Sequence, residues 1–399
     1  MPRTADYTIQ GFLYQFNKTA LEILKAQDDD NVTVEGIVED IEVATSTSLR
    51  AIQCKYHEAS TSFTPSAVYK PLLQMLKHFS ENEQENIQYV LFAHFPGSDT
   101  PPSKIDKDTL QAALDTKDKV LTKYVKTIPS NIDLDGFLSK FTMEFGPCYD
   151  DIIKQVGDEL EANGIQNSDI EALAYPNTIH MIATLSVKHN PADRQITKKK
   201  FLSNLKAIRT TAISQWTLAL KTRDKLLQAR RKQLKVHLNK NTRLRYFILN
   251  PKGIEDYDNQ IVLFLSDFLE KYHFKTAHTG TPILCLCANS VEIQNIQSRL
   301  YAKGIISTDG YIGRKFEKSH FFRKPLGGTG GNKNREFRLR ILNWDDHGEI
   351  LNDRKCDDLF IIGEQVYNTL DTVDVNVEQL TGVTLKEVRY IMGISDDYK

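Results

Sequence analysis

Two strand-forming segments joined by a polar turn constrain the fold of this chain more than any other feature. The first, residues 32–43, carries Asp40 within an apolar pattern, and the second, residues 49–56, carries Gln53 and Lys55. Side chains alternate between the two faces of a strand, so Gln53 and Lys55 point to the same face. A hairpin turn between the segments would return both side chains to the neighbourhood of Asp40.

These residue types suit the hydrolysis of a phosphodiester bond. A hard divalent cation neutralises the phosphate and lowers the pKa of an attacking water. Mg²⁺ prefers oxygen ligands and is often held by one or two carboxylates, so we expect Asp40 and the amide oxygen of Gln53 to bind Mg²⁺ or Mn²⁺. Lys55 would orient the water and stabilise charge that develops on the phosphate. Glu22, on the preceding predicted helix, could complete the site directly or through water.

The same residues also fit an exposed hairpin, because solvated strands often carry Glu and Lys. The expected burial of these residues favours a functional site over an exposed hairpin. The acids lie inside an apolar strand pattern, and Ile52 and Tyr56 flank the Gln-x-Lys pair. A buried polar group needs a partner or a function, so we interpret Asp40, Gln53 and Lys55 as a catalytic set.

Composition indicates a globular protein of several domains. The 399 residues suffice for two or three domains, and the 51 basic and 52 acidic residues balance. No apolar run reaches membrane-spanning length, and the first residues lack the apolar stretch of a signal peptide. The five cysteines are odd in number and scattered, which suits a reducing compartment. We therefore expect a cytoplasmic protein with no membrane partner.

The order of elements predicts an α/β fold for residues 1–206. Apolar residues at helical spacing predict a helix over 8–26 and another over 66–80, and residues 87–93 are apolar and short, as expected for a central strand. This order of elements (helix, strand, strand, helix, strand) is typical of the start of an α/β fold. Residues 107–206 are predicted to be helical in several pieces, and Thr197 is the expected N-cap of one of them.

Residues 207–242 are predicted to form a basic helical connector. From Arg194 to Arg245 the chain has 16 Lys or Arg and one acid. Two interpretations remain open: a solvated helix whose charges pair with acids elsewhere, or an arm that contacts the phosphates of nucleic acid. The candidate nucleic-acid contacts are Lys198, Lys199, Lys200, Arg230, Arg231 and Lys232.

Residues 243–399 are predicted to form a smaller α/β domain. Residues 244–249 and 283–287 have the apolar character of buried strands, and each is followed by a predicted helix. The sequence indicates docking, regulation or oligomerisation as the role of this domain.

The amino-terminal motifs resemble a known nuclease family. The matching residues are Gly11-Phe12-Leu13-Tyr14-Gln15, Glu22, Glu39-Asp40-Ile41-Glu42 and Gln53-Cys54-Lys55-Tyr56-His57. Together they resemble the PD-(D/E)xK domain of bacterial anti-phage effectors, as found in CD-NTase-associated effectors and Lamassu-type nuclease subunits. The resemblance covers about residues 8–206. Glu39 stands where the motif has proline.

This resemblance implies a restriction-endonuclease-like domain, with a mixed sheet flanked by helices, that cuts double-stranded DNA with Mg²⁺. Asp40, Gln53, Lys55 and Glu22 become the catalytic residues, with Gln15 and Glu39 in support. The remainder of the chain does not match the nucleotide-sensing domain of the CD-NTase-associated effectors. A Lamassu-like arrangement is therefore favoured, with an SMC-like ATPase or another defence-system subunit as partner and a homo-oligomer as a further possibility.

Two other functions remain open from the sequence. The chain could be a non-catalytic subunit that binds nucleic acid or acts as a scaffold on a relict nuclease fold. It could also be a nuclease effector gated by a nucleotide signal bound in the carboxyl-terminal domain.

Overall fold

A computed structural model describes the chain as two compact units, residues 1–209 and 210–399. The described residues are 4–36, 38–57, 62–96, 105–220, 222–240, 243–275, 278, 280–327, 334–364 and 369–398. Most of the expected connector, residues 207–242, belongs to the second unit, because its main helix buries a row of leucines there.

The first unit contains one sheet and the helices that cover it. Its strands are β1 (Asn31–Val34), β2 (Ile41–Ala44), β3 (Leu49–Tyr56), β4 (Ile87–His94), β5 (Phe141–Phe145) and β6 (Gln195–Thr197). Its helices are α1 (Thr4–Lys25), α2 (Tyr69–Glu81), α3 (Lys107–Leu114), α4 (Thr122–Val125), α5 (Leu134–Lys140), α6 (Tyr149–Ala162), α7 (Asn167–Asp169), α8 (Tyr175–Ser186) and α9 (Lys198–Ala207).

The sheet of the first unit is mixed, which confirms the predicted α/β class. The strand order is β5-β4-β3-β2-β1-β6. Strands β3, β4 and β5 are parallel, and the remaining neighbours are antiparallel. Helices α2, α3 and α5 pack on one face around Tyr89, Leu91 and Ala93, and α1 packs against β3, α6 and α8. The predicted central strand is β4, which is almost entirely buried.

Residues 32–43, expected to be one strand, form two antiparallel strands instead. Strand β1 ends at Val34, and β2 returns beside it with Ile41 opposite Val34. Glu35 has a φ of 51°, in the left-handed region, and its backbone N–H donates to the carbonyl oxygen of Asp40 at 2.8 Å. The chain therefore reverses direction between β1 and β2. The predicted hairpin between Asp40 and Lys55 is confirmed, since β2 pairs with β3 and Ile41 lies opposite Ile52.

The prediction that residues 107–206 are helical is wrong for β5 and β6. Both strands complete the edges of the sheet: β5 pairs with β4, and β6 pairs with β1. These strands are short, and their ladder partners lie far away in the chain, so local patterns did not indicate them. The expected helix start at Thr197 is confirmed, because its hydroxyl accepts a hydrogen bond from the backbone N–H of Lys200 at 3.3 Å.

The second unit is built on a parallel sheet. The strands of this unit are β7 (Arg245–Leu249), β8 (Ile283–Leu286), β9 (Ser307–Thr308), β10 (Tyr311–Ile312), β11 (Lys315–Phe316), β12 (Leu339–Asn343), β13 (Asp358–Ile362) and β14 (Asn376–Leu380). Strands β10 and β11 pair with each other in a separate two-stranded sheet. Its helices are α10 (Gln215–Leu218), α11 (Arg223–Leu238), α12 (Tyr257–Tyr272), α13 (Ser290–Ala302), α14 (Lys318–Phe322), α15 (Trp344–His347) and α16 (Leu385–Ile391).

The order of this sheet is β14-β13-β7-β8-β12-β9, and all of its pairings are parallel. Parallel sheets are buried on both faces, and the sequence of β7 and β13 is accordingly apolar and fully buried. Phe247 of β7 packs edge-to-face against Phe264 and Phe268 of α12. All carboxyl ends of the strands meet at one edge of the sheet, where ligands of such folds bind.

Helix α11 carries the basic segment, and the structure corrects the role expected for Arg230. Arg230 is only 4% exposed and forms an ion pair with Glu378 of β14, which is 3% exposed. Burial lowers the pKa of Arg230 to about 10. Its guanidinium is therefore part of the core of the second unit and is not presented to nucleic acid.

We predict that Arg230→Met destabilises the protein strongly, because Glu378 would remain buried without its partner. Removing one member of a buried pair costs about 3–5 kcal/mol. Denaturant unfolding of the full chain measures the effect. Lys232→Met is the matched control, since Lys232 is exposed on the same helix and surface changes usually stay within about 0.5 kcal/mol. Equal stability of the two variants would contradict the structural role of Arg230.

Candidate active site

The structure brings Asp40 and Gln53 into direct contact. Asp40 lies one residue before β2, so the pairing of Ile41 with Ile52 places it opposite Gln53. Its Oδ2 accepts hydrogen bonds from the backbone N–H of Cys54 at 2.8 Å and from the side-chain amide of Gln53. Gln53 is buried, with 6% exposure. The contact thus follows from strand register.

Lys55 supplies the positive charge of this group. It is half-buried on β3, two residues after Gln53 and on the same face of the strand. Burial raises the pKa of Asp40, and the charge of Lys55 acts in the opposite direction. The same two opposing effects act on Glu35 and Glu39. The ammonium of Lys55 therefore lies within electrostatic reach of three carboxyl groups.

Glu35 belongs to this group, and sequence reasoning missed it. Its Oε1 accepts a hydrogen bond from the amide of Gln15 at 2.7 Å, and its carbonyl oxygen accepts one from Arg194 at 2.8 Å. Burial raises the pKa of Glu35, and the charge of Asp40 raises it further. An acid followed by glycine at the end of the strand was the signal available in the sequence. Gln15 thus contacts this group through Glu35, and its supporting role stays a prediction.

Glu39 is a buried carboxyl next to the candidate ligand. It is 8% exposed, and burial followed by the charge of Asp40 raises its pKa to about 8. Lys55 opposes this shift. Glu39 is therefore largely protonated near neutral pH unless a further positive charge enters the site.

Glu22 has other partners. Lys18 and Arg50 form ion pairs with its two carboxylate oxygens at 2.7 and 3.1 Å. In the described part of the chain, no hydrogen bond or ion pair joins Glu22 to Asp40. The reason is its distance along α1: seven residues after Gln15 correspond to about 10 Å of helix. The structure therefore does not place Glu22 among the carboxyls around Asp40, and a contribution through water stays a prediction.

The donor set fits a magnesium-like ion bound largely by water. Among the described residues, no three His, Cys, Asp or Glu side chains are grouped closely enough to hold a metal ion by themselves. Mg²⁺ needs only one or two carboxylates, and the carboxylates of Asp40 and Glu35 meet that requirement. The amide nitrogen of Gln53 faces Asp40, so the amide would have to turn over for its oxygen to act as a third donor. The pKa values of Asp40 and Glu35 are raised because burial outweighs the opposing hydrogen bonds and the charge of Lys55. A divalent cation at this position would stabilise both carboxylates.

The other basic residues that the sequence predicts as nucleic-acid contacts differ from Arg230 in their surroundings. Lys198, Lys199 and Lys200 form the first turn of α9, and the last two are exposed. Arg231 forms an ion pair with Asp396 at 2.6 Å and lies over the ring of Tyr390. Lys232 is exposed, and its role, like that of the three lysines of α9, stays a prediction.

A second concave site lies at the carboxyl-terminal edge of the sheet in the second unit. It encloses a cavity of about 340 Å³ beside α13 and the end of β12. The hydroxyl of Tyr311 and Nε2 of His347 are 3.0 Å apart. Burial raises the pKa of Tyr311, and the charges of Asp346 and Asp309 raise it further. The polar lining includes Gln294, Gln297, Asp309, Tyr311, Asn343 and Asp346.

Comparisons with known proteins leave the family of the chain open. No protein-family model matches it, and no curated protein matches it. Solved structures of the Acinetobacter baumannii Cap4 SAVED/CARF-domain containing receptor do match. The complex with the cyclic trinucleotide 2'3'3'-cAAA has 12% identity and a TM-score of 0.30, over 93% of this chain and 81% of that chain.

Two further Cap4 structures match in the same way. The complex with 3'3'3'-cAAA and the structure described as the receptor alone each have 11% identity and a TM-score of 0.30, over 96% of this chain and 92% of that chain. Similarity at this level carries no argument about fold or function. The resemblance to PD-(D/E)xK nucleases and to Lamassu-type subunits therefore stays a prediction.

None of the helices in the described part of the chain combines the length and apolarity that a membrane crossing requires.

We predict that Glu39→Gln makes the protein more stable than wild type at alkaline pH. The pKa of Glu39 is about 8 in the folded chain and near 4.3 in an unfolded one. The folded state therefore binds the extra proton, and the stability from the protonated carboxyl is fully present below pH 4.3 and is lost as pH rises to about 8. The Gln variant keeps a neutral side chain throughout.

Thermal unfolding at pH 5, 7 and 9 without divalent cation measures this difference. We expect the advantage of Glu39→Gln to grow with pH and to level off above about pH 8. Glu83→Gln is the control, because Glu83 is exposed in the same unit. A pH-independent difference would rule out the protonated state of Glu39.

Proposed function

We propose that this chain is a Mg²⁺- or Mn²⁺-dependent endonuclease that cuts double-stranded DNA. The observation that carries the proposal is the pairing of β2 with β3, where Asp40 contacts the buried Gln53 and lies within electrostatic reach of the half-buried Lys55. The sequence pattern by itself predicts the same three residues. Glu35 adds a second carboxylate to the set.

The residues divide the chemistry among them. Asp40 and Glu35 would bind the cation, with the amide oxygen of Gln53 as a further ligand. The cation, when bound, would neutralise the phosphate and lower the pKa of an attacking water. Lys55 would orient the attacking water and stabilise charge on the phosphate in the transition state. Gln15 and Arg194 position Glu35 through the hydrogen bonds they donate to it.

The lysines at the start of α9 would contact the DNA backbone. Three cations at a helix amino terminus are unfavourable for the helix dipole, so local stability does not explain them. A phosphate group beside this turn would be favoured both by the lysine charges and by the positive end of the helix dipole. This role is proposed for Lys198, Lys199 and Lys200.

The wider setting is also part of the proposal. The amino-terminal motifs favour a role in bacterial defence against phages or plasmids. In that setting an SMC-like ATPase or another defence-system subunit would regulate the nuclease in the cytoplasm, and the chain could form a homo-oligomer. The alternative is a non-catalytic nucleic-acid-binding scaffold.

Cleavage of supercoiled plasmid tests the nuclease. We expect nicking with Mg²⁺ or Mn²⁺ and none with EDTA, and a loss of at least about 100-fold in Asp40→Asn and Lys55→Met, as for removal of one transition-state contact. Lys70→Met is the control, because Lys70 is exposed in the same unit.

Each outcome of this experiment decides between the functions. Wild-type rates in Lys55→Met would eliminate the assigned centre. Salt-dependent DNA binding without cleavage by the wild-type protein under either metal would favour the non-catalytic scaffold.

A nuclease gated by a nucleotide signal is the second candidate function. The cavity of the second unit favours it, because its volume is in the range of small-molecule sites and it lies at the carboxyl ends of parallel strands. Asp309 and Asp346 could accept hydrogen bonds from ribose hydroxyls or base amino groups. The side-chain amides of Gln297 and Asn343 could bind base edges.

Calorimetry of the full chain with cyclic oligonucleotides tests this gating. We expect saturable binding that is weakened at least tenfold by Asp346→Ala, since the carboxylate is an acceptor in the lining. Lys303→Ala serves as control, because Lys303 is exposed just after α13. Absence of heat with every cyclic oligonucleotide tested, or unchanged affinity in Asp346→Ala, would eliminate this cavity as the sensor.

A further inference from the structure

A buried cluster of arginine and histidine side chains lies at the amino-terminal edge of the second sheet, opposite the edge that holds the cavity. Arg338 precedes β12 and is 5% exposed, and His273 and His278 are 2% and 3% exposed. Arg335, which is half-buried, donates a hydrogen bond to the carbonyl oxygen of His278 at 3.4 Å. We propose that this cluster is a binding site for a small phosphate-like oxyanion.

The guanidinium of Arg338 is the central observation. Its Nη1 donates to Oε1 of Glu270 at 2.9 Å. Its Nε and Nη2 are buried and have no hydrogen-bond partner in the structure as described. A buried donor without a partner is costly, so these two groups need an acceptor. The Nε–Nη2 edge presents two parallel N–H groups, which is the geometry that binds two oxygens of a carboxylate or phosphate.

The neighbouring charges also favour an anion. Burial lowers the pKa of His273 to about 3, and the charges of Arg335, Arg338 and His278 act in the same direction. Burial likewise lowers the pKa of Arg335. Glu270 is bonded to the opposite side of the Arg338 guanidinium and leaves the Nε–Nη2 edge available. A bound oxyanion would place negative charge beside the guanidinium groups of Arg335 and Arg338.

Thr281 offers a further hydrogen-bonding group at this edge. Its hydroxyl is buried and also has no hydrogen-bond partner in the described structure. Arg340 lies opposite Ile283 in the pairing of β12 with β8. Thr281 and Arg338, each two residues earlier, therefore lie on adjacent segments as they enter the sheet. A hydroxyl beside an arginine fork is a common combination of phosphate ligands.

The burial of the cluster restricts the ligand. The backbone of a DNA duplex could not reach a guanidinium that is 5% exposed. Inorganic phosphate, or the terminal phosphate of a small phosphomonoester, could do so past the half-buried Arg335. Both sources present the same tetrahedral oxyanion. This site is independent of the proposed nuclease centre, and its test does not require cleavage activity.

Calorimetry and thermal unfolding of the full chain test the proposal, with inorganic phosphate and glycerol phosphate as separate probes against chloride at equal ionic strength. We expect saturable binding with one site per chain. Unfolding should shift upward by about 5 °C at a phosphate concentration near a hundred times the dissociation constant. Binding of inorganic phosphate alone would define a free-phosphate site, and binding of both would define a phosphomonoester site.

Two variants and one control make the test specific. Arg338→Gln should abolish binding. Arg338→Lys keeps the charge but loses the fork, so it should fold and bind at least tenfold more weakly. Arg354→Gln removes an exposed arginine of the same unit and should bind as wild type; it also corrects for general stabilisation by phosphate salts. No phosphate binding by wild type, or wild-type affinity in Arg338→Lys, would overturn the proposal.

Discussion

The antiparallel pairing of β2 with β3 is the interaction on which the candidate active site depends. It places Asp40 opposite Gln53 and directs the backbone N–H of Cys54 at the carboxylate of Asp40. A shift of one residue in this register would turn Gln53 and Lys55 to the other face of the sheet. The buried residues of β3, packed under helices on both faces, prevent such a shift, so the core of the first unit holds the chemistry in place.

The two candidate binding sites, one in each unit, concentrate charges of opposite sign. In the first unit, three carboxyl groups with raised pKa values lie within electrostatic reach of one lysine, and a divalent cation would offset the cost of burying these carboxyl groups. In the second unit, the charges of Arg335 and Arg338 act on the buried His273, and an anion would offset the cost of burying these arginines. In each case the fold holds like charges together at a cost in stability, which is typical of sites that bind a ligand of the opposite charge.

Ion pairs determine which charged residues remain available for function. Arg230 and Arg231 are neighbours in a basic run, yet Arg230 is buried against Glu378 while Arg231 binds Asp396. Glu22 is similarly held by Lys18 and Arg50. The sequence could not separate these residues from exposed ones such as Lys232, because the partners Arg50, Glu378 and Asp396 lie 28 to 165 residues away in the chain. Lys18, four residues before Glu22 on the same helix, is the exception.

The sequence by itself determined the α/β class, the hairpin between β2 and β3, the central strand β4 and the helix start at Thr197. These features depend on local periodicity, turn residues and capping, which a linear pattern records. Only the tertiary structure decided that Glu35 lies beside Asp40, that β5 and β6 complete the sheet, and that Arg338 has an unpaired edge. Each of these depends on contacts between distant segments, and the free energy of such contacts comes from burial and pairing that no local pattern contains.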